Sequence, residues 1–131
     1  MKKIMTNKYH FSLHLQFKQD CDVDKIEKFL DVTAYRKNLL KDSLGENKTA
    51  KIWIKTKDFI NPDTYDVLHN FIENFLPKFE KIKGLIEEYD GKATFTLYFE
   101  EFKEKPYIRL DARDMEIFSD NHINFEVDFR Y

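Results

Sequence analysis

The sequence predicts an α+β fold in which two layers, one of helices and one a mostly antiparallel β-sheet, pack face to face. Three patterns predict it. Apolar residues recur every three or four positions from Pro62 to Tyr89, which is typical of an amphipathic helix. Apolar and polar residues alternate over 9–17, 92–102 and 123–131, which is typical of strands with one buried face. Elements that each bury one side are expected to bury them against each other.

The composition fits one folded domain over residues 1–131, with residues 1–7 as a frayed N-terminus. Hydrophobic residues make up 42% and charged residues 35%, with 13 Phe and only 3 Gly. Such a chain can bury a sizeable core and is too rich in bulky side chains to be disordered. No apolar stretch reaches membrane-spanning length, and the single cysteine, Cys21, cannot form an internal disulfide. We therefore expect a cytoplasmic protein that does not enter a membrane.

The net charge of −2 conceals an asymmetry between the two halves of the chain. Residues 1–60 carry 13 Lys or Arg against 8 Asp or Glu, whereas residues 61–131 carry 9 against 16. One interpretation is that elements of the two halves lie side by side and neutralise one another. The other is a basic patch that meets an anionic partner, which requires the lysines to converge on one face.

The first half of the chain predicts a strand, a short helix and two more strands. The strand over 9–17 points Tyr9, Phe11, Leu13, Leu15 and Phe17 inward. Asp22 is a predicted N-cap of a helix that ends near Asp31 and whose apolar side is Val23, Ile26, Phe29 and Leu30. A poorly patterned strand follows at about 34–38. A turn over 42–48 then leads to a strand over 49–57, which carries Trp53 on the side opposite Ile52 and Ile54.

The long apolar stripe has a predicted start, an interruption and an end. Asn61 is a predicted N-cap and Pro62 the first helical residue. Because an interior proline removes a backbone hydrogen bond, Pro77 predicts two helical pieces, about 62–75 and 77–89, kinked or stepped at Leu76-Pro77. Asp90-Gly91 is expected to end the helix with a positive φ before the strand over 92–102.

The remaining sequence predicts a strand, a short helix and a strand. After a turn over 103–106, residues 107–110 are expected to form a short strand. Asp111 is the predicted cap of a brief helix, with Asp114 as its capping-box acid and Met115 and Phe118 facing inward. The alternation over 123–131 predicts the last strand.

The first six elements match the ferredoxin-like βαββαβ arrangement, in which helices cover one face of an antiparallel sheet. The other face is left to solvent or to a partner. The residues expected on that face are His10, Ser12, His14, Lys51, Trp53, Lys55, Thr96, Tyr98, Arg109, Asn124, Glu126 and Asp128.

The arrangement of the chain over residues 8–131 resembles the bacterial family known as domain of unknown function 4279. Three features carry the resemblance: the strand from His10 to Phe17 that leads into 22–30, the Trp53 strand after a polar loop, and the helix with Leu76-Pro77 before Asp90-Gly91. Residues 32–41 lack the Pro-Ser and Lys-Gly pairs usual in the family. The resemblance implies a compact α+β fold and no particular activity.

The sequence predicts no catalytic, metal or cofactor site. His10 and His14 are four residues apart, which on a strand separates them by roughly 13 Å, so they cannot share an ion without a distant fold partner. Ser12, His14 and Asp128 could be drawn as a hydrolase set, but Ser12 lies within a strand rather than at a sharp turn. Cys21 lies between two aspartates and is expected to be inert. His69 and His122 are expected to be ordinary surface residues.

The sequence therefore favours a protein that acts by binding. Trp53, Tyr98 and Arg109, with His10, His14, Lys51 and Lys55, form the predicted binding residues on the uncovered sheet face. Such residues anchor protein interfaces, and we expect another protein as the partner, with an immunity- or adaptor-like role by analogy. A second copy of the chain is the other partner considered, which would make a homodimer. The alternative is a nucleic acid or nucleotide that binds through Trp53, Tyr98 and the lysines of residues 36–57. The acidic residues of the same face argue against it.

Overall fold

A computed structural model of the chain describes residues 7–18, 21–41, 48–60, 63–102 and 106–129, without the side chains of 39–41 and 48. In these ranges the chain forms six strands and three helices. Their order is β1 (Lys8–Phe17), α1 (Val23–Leu30), β2 (Arg36–Lys41), β3 (Lys48–Lys55), β4 (Phe59–Ile60), α2 (Thr64–Tyr89), β5 (Gly91–Glu101), α3 (Ala112–Asp120) and β6 (Ile123–Phe129).

The described strands form one open sheet with the order β2-β3-β1-β5-β6, and the two-residue β4 pairs with the beginning of β1. All pairs are antiparallel except β5 and β6, which are parallel. A parallel pair needs a crossover connection, and α3 supplies it. The predicted α+β class with a mostly antiparallel sheet is confirmed. The ferredoxin-like assignment of the first six elements stays a prediction.

The core lies between the helices and one face of the sheet. The alternate inward side chains of β1 and β5 are at most 4% exposed, which confirms both alternations: Tyr9, Phe11, Leu13, Leu15, Phe17, Ala93, Phe95, Leu97 and Phe99. Phe95 lies at the centre, and its ring centroid is 5.2–6.2 Å from those of Phe11, Phe71, Phe79, Phe118 and Phe125. Because these rings come from β1, α2, α3 and β6, one aromatic cluster joins the two layers.

Helix α2 is continuous from Thr64 to Tyr89, so the predicted division at Pro77 is wrong. Pro77 is exposed, whereas Ile72 before it and Phe79 after it are fully buried. A proline inside a helix costs about 3 kcal/mol or more. Burial of the apolar stripe on both sides of Pro77 offsets that cost, and tertiary packing therefore decides the backbone at this point.

The cap of α2 also differs from the prediction. Asp63 is the N-cap and accepts a hydrogen bond from the backbone N–H of Asp66 at 3.2 Å. Asn61 and Pro62, the predicted start, lie outside the described residues. The end predicted at Asp90-Gly91 is confirmed, since α2 stops at Tyr89 and Asp90 adopts a positive φ of 48°.

The cap of α1 is confirmed, because Asp22 Oδ1 accepts the backbone N–H groups of Asp24 and Lys25 at 3.0 and 3.2 Å. Its apolar side is only partly as predicted. Ile26 and Leu30 are buried, but Phe29 is 50% exposed.

The strand predicted over 34–38 is displaced towards the C-terminus. Ala34 donates its backbone N–H to Glu27 Oε2 at 2.7 Å, which ties it to α1 rather than to the sheet. Strand β2 therefore begins at Arg36. The turn predicted over 42–48 falls almost entirely outside the described residues.

The segment around α3 corrects three expectations. Residues 107–110 form no strand, and β5 already has β1 on one side and β6 on the other. In α3, Met115 is 52% exposed and Ile117 takes the inward position instead. Asp111 stands at the N-cap position but makes no side-chain cap bond, since its carboxylate accepts the Tyr65 hydroxyl.

Candidate functional site

The sheet face opposite the helices, which we call the open face, carries alternate residues of five strands. All the residues predicted for it lie there except Arg109. Strand register adds Gln16, Arg36, Asn38, Lys92 and Thr94, and Glu100 lies on this face as the alternation of its strand predicted. The described helices pack on the other face, where they share the core with the inward side chains.

Trp53 belongs to a row of three side chains that crosses β2, β3 and β1. Its ring stacks on the His14 imidazole, with centroids 4.7 Å apart and planes inclined by 11°. The guanidinium carbon of Arg36 lies 4.9 Å from the Trp53 ring centroid. Trp53 is the register partner of both residues, and β3 lies between their strands. The two neighbours therefore approach the indole from the strands on either side of β3.

Tyr98 lies on a different strand and has a different stacking partner. Its ring centroid is 5.0 Å from that of His10, with planes inclined by 20°. Strand β1 separates Trp53 from Tyr98, so the two aromatics do not form one continuous platform. Each is instead fixed by one of the two β1 histidines, which the sequence placed on this face without a role.

His14 is uncharged in the stack at neutral pH. Burial lowers the pKa of His14 below its usual 6.5, and the positive charge of Lys51 lowers that pKa further. Its Nε2 is buried and makes no hydrogen bond to any described residue. A neutral imidazole can pack on Trp53 without adding charge beside Arg36 and Lys51. The ring therefore serves to orient the indole.

Charge on the open face is separated into two corners. The positive corner consists of Arg36, Lys51, Lys55 and Lys92, and the negative corner of Glu100, Glu126 and Asp128. Between them, β1 presents His10, Ser12, His14 and Gln16. Except for Lys92, which lies on β5, the residues of the positive corner lie on one side of β1 and those of the negative corner on the other. Part of the charge is paired within the face, since Lys8 of β1 lies 3.6 Å from Glu100.

Arg109 does not join Trp53 and Tyr98. Its guanidinium carbon lies 5.3 Å from the Tyr65 ring centroid, and its Nε is 3.4 Å from Asp111 Oδ1. Arg109 thus belongs to the junction of α2 and α3. Its predicted place on the open face depended on a strand over 107–110, which the structure does not contain.

His69 connects α2 to α3 and is not the ordinary surface residue that the sequence suggested. Its Nδ1 lies 3.0 Å from both carboxylate oxygens of Asp114, whose side chain is 1% exposed. The hydrogen bond to Asp114 raises the pKa of His69. A buried carboxylate needs such a partner, and we assign the pair a structural role. Because 45 residues separate the two, no periodicity could have revealed the contact.

The hydrolase set that could be drawn from the sequence is dispersed over the sheet. Ser12 pairs with Lys55 and Thr96, whereas His14 pairs with Trp53 and Thr94. Asp128 lies beside Tyr98, on the far side of β5. These residues occupy three different rows across the strands, so they do not form a hydrogen-bonded triad.

Two of the cavities lined by described residues lie outside the open face. One, of about 220 Å³, is lined mainly by apolar residues of β1, β3 and α2, including Phe11, Ile54 and Phe75. It is smaller than a typical site for a drug-sized ligand. The other is a groove of about 340 Å³ between α1 and α2, beside the exposed Phe29. Neither brings together groups with evident chemistry, and the open face remains the candidate site.

These features define an α+β protein in which the described helices cover one face of the sheet and none of them covers the other. None of its described helices is both long and apolar enough to cross a bilayer. The family described as Domain of unknown function (DUF4279) matches residues 7–131, and the chain belongs to that family. The resemblance inferred from the sequence is thereby confirmed. No curated protein and no solved structure matches the chain.

Proposed function

We propose that this protein acts by binding a second protein through the open face, in an immunity- or adaptor-like role in the cytoplasm. The single observation that carries the proposal is the arrangement of Trp53 between His14 and Arg36. An aromatic side chain held in place before binding loses little conformational entropy on binding. Trp and Arg are also the residues that most often dominate the energy of protein interfaces.

The separation of charge supports a protein partner of defined chemistry. A surface with a positive and a negative corner is complementary to a partner surface with acidic and basic patches in the reverse arrangement. Such complementarity fixes the orientation of two proteins and excludes wrong partners. A protein can present both signs of charge at this spacing, whereas a nucleic acid backbone presents only one.

The open face is also large enough for a specific contact. Five strands about 4.8 Å apart and about eight residues of about 3.3 Å give a flat outline of roughly 20 Å by 25 Å. The relief of the side chains increases the accessible area beyond that outline. The result is of the same order as the roughly 800 Å² that each partner buries in a standard interface.

Nucleic-acid binding is the second candidate, and the four cations of the positive corner favour it. Stacking of a base requires a free aromatic face. The Trp53 ring already stacks on His14 and lies beside Arg36, and Glu126 and Asp128 would repel phosphates on the same surface. We therefore rank this function below protein binding.

The test uses charge reversal at each corner. The tagged full-length chain is used to capture partners from a nuclease-treated extract of the source cells, beside Lys51→Glu/Lys55→Glu and Glu126→Lys. Controls are Lys25→Glu and Glu80→Lys, which reverse exposed charges on the outer side of α1 and α2. We expect one protein to be retained by the wild type and both controls and lost from both corner variants.

Three results would redirect or overturn the proposal. Retention of the same protein by both corner variants moves the site away from the open face. Binding of a fluorescent oligonucleotide that falls steeply with salt, and that only the positive-corner variant loses, establishes the nucleic-acid function instead. A dimer of the isolated chain in sedimentation that both corner variants dissociate identifies the partner as a second copy.

A further inference from the structure

We propose that His10, Asp58 and Glu100 bind a divalent transition-metal ion, with Zn²⁺ the best fit, at the end of the open face where β4 pairs with β1. One nitrogen and two carboxylate oxygens from these residues all lie within 4.8 Å of one another. Histidine nitrogen with carboxylate oxygen is a common ligand combination for zinc in open, three-residue sites. The site does not depend on the proposed protein partner.

The fold brings together three residues that are far apart in sequence. His10 lies on β1, and Glu100 lies near the end of the adjacent β5. Asp58 immediately precedes β4, which pairs with β1 through Tyr9 and Phe59. This two-residue pairing, which the sequence did not predict, holds Asp58 beside His10.

His10 has a buried ring nitrogen without a hydrogen-bond partner among the described residues. Its Nδ1 is shielded from solvent and makes no hydrogen bond to any described residue. It lies close to both carboxylates, at 3.3 Å from Glu100 Oε1 and 3.6 Å from Asp58 Oδ1. A buried nitrogen close to two carboxylates, without a hydrogen bond to either, is the observation that distinguishes this cluster from exposed acidic residues.

The distances fit the ligands of one ion. Zinc–nitrogen and zinc–oxygen bonds of about 2.1 Å place neighbouring ligands of a tetrahedral site about 3.4 Å apart. The two measured separations lie on either side of that value. The stack of His10 on Tyr98 fixes the imidazole plane before any ion arrives. Asp58 and Glu100 are 46% and 33% exposed, which leaves access for the ion and for a water as fourth ligand.

Lys8 is a competing cation at the same place. Its Nζ lies 3.6 Å from Glu100 and 3.9 Å from Asp58. A metal ion must therefore bind close to a positive charge, which weakens its affinity. The competition yields a specific test, because removing this charge strengthens the binding of a metal but has no such effect if the cluster is only a set of ion pairs.

A second cluster, His69 with Asp111 and Asp114, provides the matched control. There the imidazole nitrogen lies 3.0 Å from the oxygens of Asp114, within hydrogen-bond distance, and Asp111 accepts the Tyr65 hydroxyl. Its donor atoms already satisfy one another. We expect no metal at that cluster.

The experiment is a Zn²⁺ titration of chelator-treated full-length protein by calorimetry, with wild type, His10→Gln, Lys8→Gln and His69→Gln, each checked for folding by circular dichroism. We expect one site in the wild type, an affinity more than about 100-fold weaker in His10→Gln, about tenfold stronger in Lys8→Gln, and unchanged in His69→Gln. Absence of binding to the wild type overturns the proposal, as does undiminished binding to folded His10→Gln. Loss in His69→Gln alone, or no gain in Lys8→Gln, also contradicts it.

Discussion

The two faces of the sheet use aromatic residues in different ways. On the covered face, Phe95 packs among five other phenylalanine rings and is 1% exposed. On the open face, Trp53 and Tyr98 are only partly buried, and each stacks on a histidine. The first arrangement removes apolar surface from water and therefore stabilises the fold. The second holds rings in a fixed orientation at the surface. We therefore expect substitutions on the covered face to change stability, and substitutions on the open face to change the proposed binding.

The largest expected effect is on the covered face. Phe95→Ala removes the ring that joins both layers, and we expect it to lower the free energy of unfolding by about 3–5 kcal/mol. Phe29→Ala is the control, because that side chain is 50% exposed and its loss is expected to cost less than about 1 kcal/mol. Urea unfolding followed by circular dichroism measures both. Equal losses for the two variants would contradict the importance of the aromatic cluster.

A pair of glycine substitutions tests how tightly the covered side is packed. A Cβ at Gly91 would lie 2.5 Å from Phe17 Cδ1 and 3.0 Å from the backbone oxygen of Gln16. We expect Gly91→Ala to cost about 1–3 kcal/mol. A Cβ at Gly84, inside α2, would have no neighbour within 4 Å, so Gly84→Ala is expected to stabilise by about 0.5–1 kcal/mol. Thermal unfolding should show opposite shifts, and shifts of the same sign would be inconsistent with this packing.

Trp53→Ala tests both parts of the comparison, because stability and partner binding are measured on the same variant. It removes one ring stack and one cation–π contact, and we expect a loss of about 1–2 kcal/mol in unfolding free energy, less than for Phe95→Ala. Binding of the captured partner should be lost while the variant stays folded. A stability loss as large as that of Phe95→Ala would show that Trp53 belongs to the core, and full binding by the variant would remove it from the interface.

The smallest expected effects are changes of stability with pH that come from two histidines. His69 lies between α2 and α3, and His14 lies on the open face. The raised pKa of His69 means that its contribution to stability is present below pH 6.5 and is lost as pH rises through its folded pKa. The lowered pKa of His14 means that stability falls as pH drops from 6.5 towards its folded pKa. Unfolding at pH 5.5 and 8.5 checks both. Relative to wild type, His69→Gln should lose more unfolding free energy at pH 5.5 than at pH 8.5. His14→Gln should lose less at pH 5.5 than at pH 8.5. The same pH response in both variants would contradict the assignment.

Periodicity predicted the parts of the fold whose burial follows the local pattern. The alternations that contain Phe11 and Phe95 and the stripe through Ile72 gave the elements and their buried sides, because an amphipathic pattern needs only one partner surface. It failed where a contact distant in sequence decides the outcome. The packing of Phe79 overrides Pro77, and the bond from Ala34 to Glu27 delays β2.

The candidate site was likewise predicted where it depends on strand alternation and missed where it depends on contacts distant in sequence. Alternation placed Trp53, Tyr98 and the β1 histidines on the correct face. It could not show that Arg36 covers Trp53, because this depends on which strand lies beside β3. Asp58 beside His10 was equally hidden, since β4 has only two residues and no detectable period.

Trp53 is the only tryptophan in the chain, so its fluorescence reports directly on the open face. The account predicts that acrylamide quenches this emission in the isolated full-length protein, less than it quenches free tryptophan because the ring is partly buried, and that a bound partner removes most of the quenching. Emission that acrylamide does not quench in the isolated protein would mean that the face is covered, and would contradict the account.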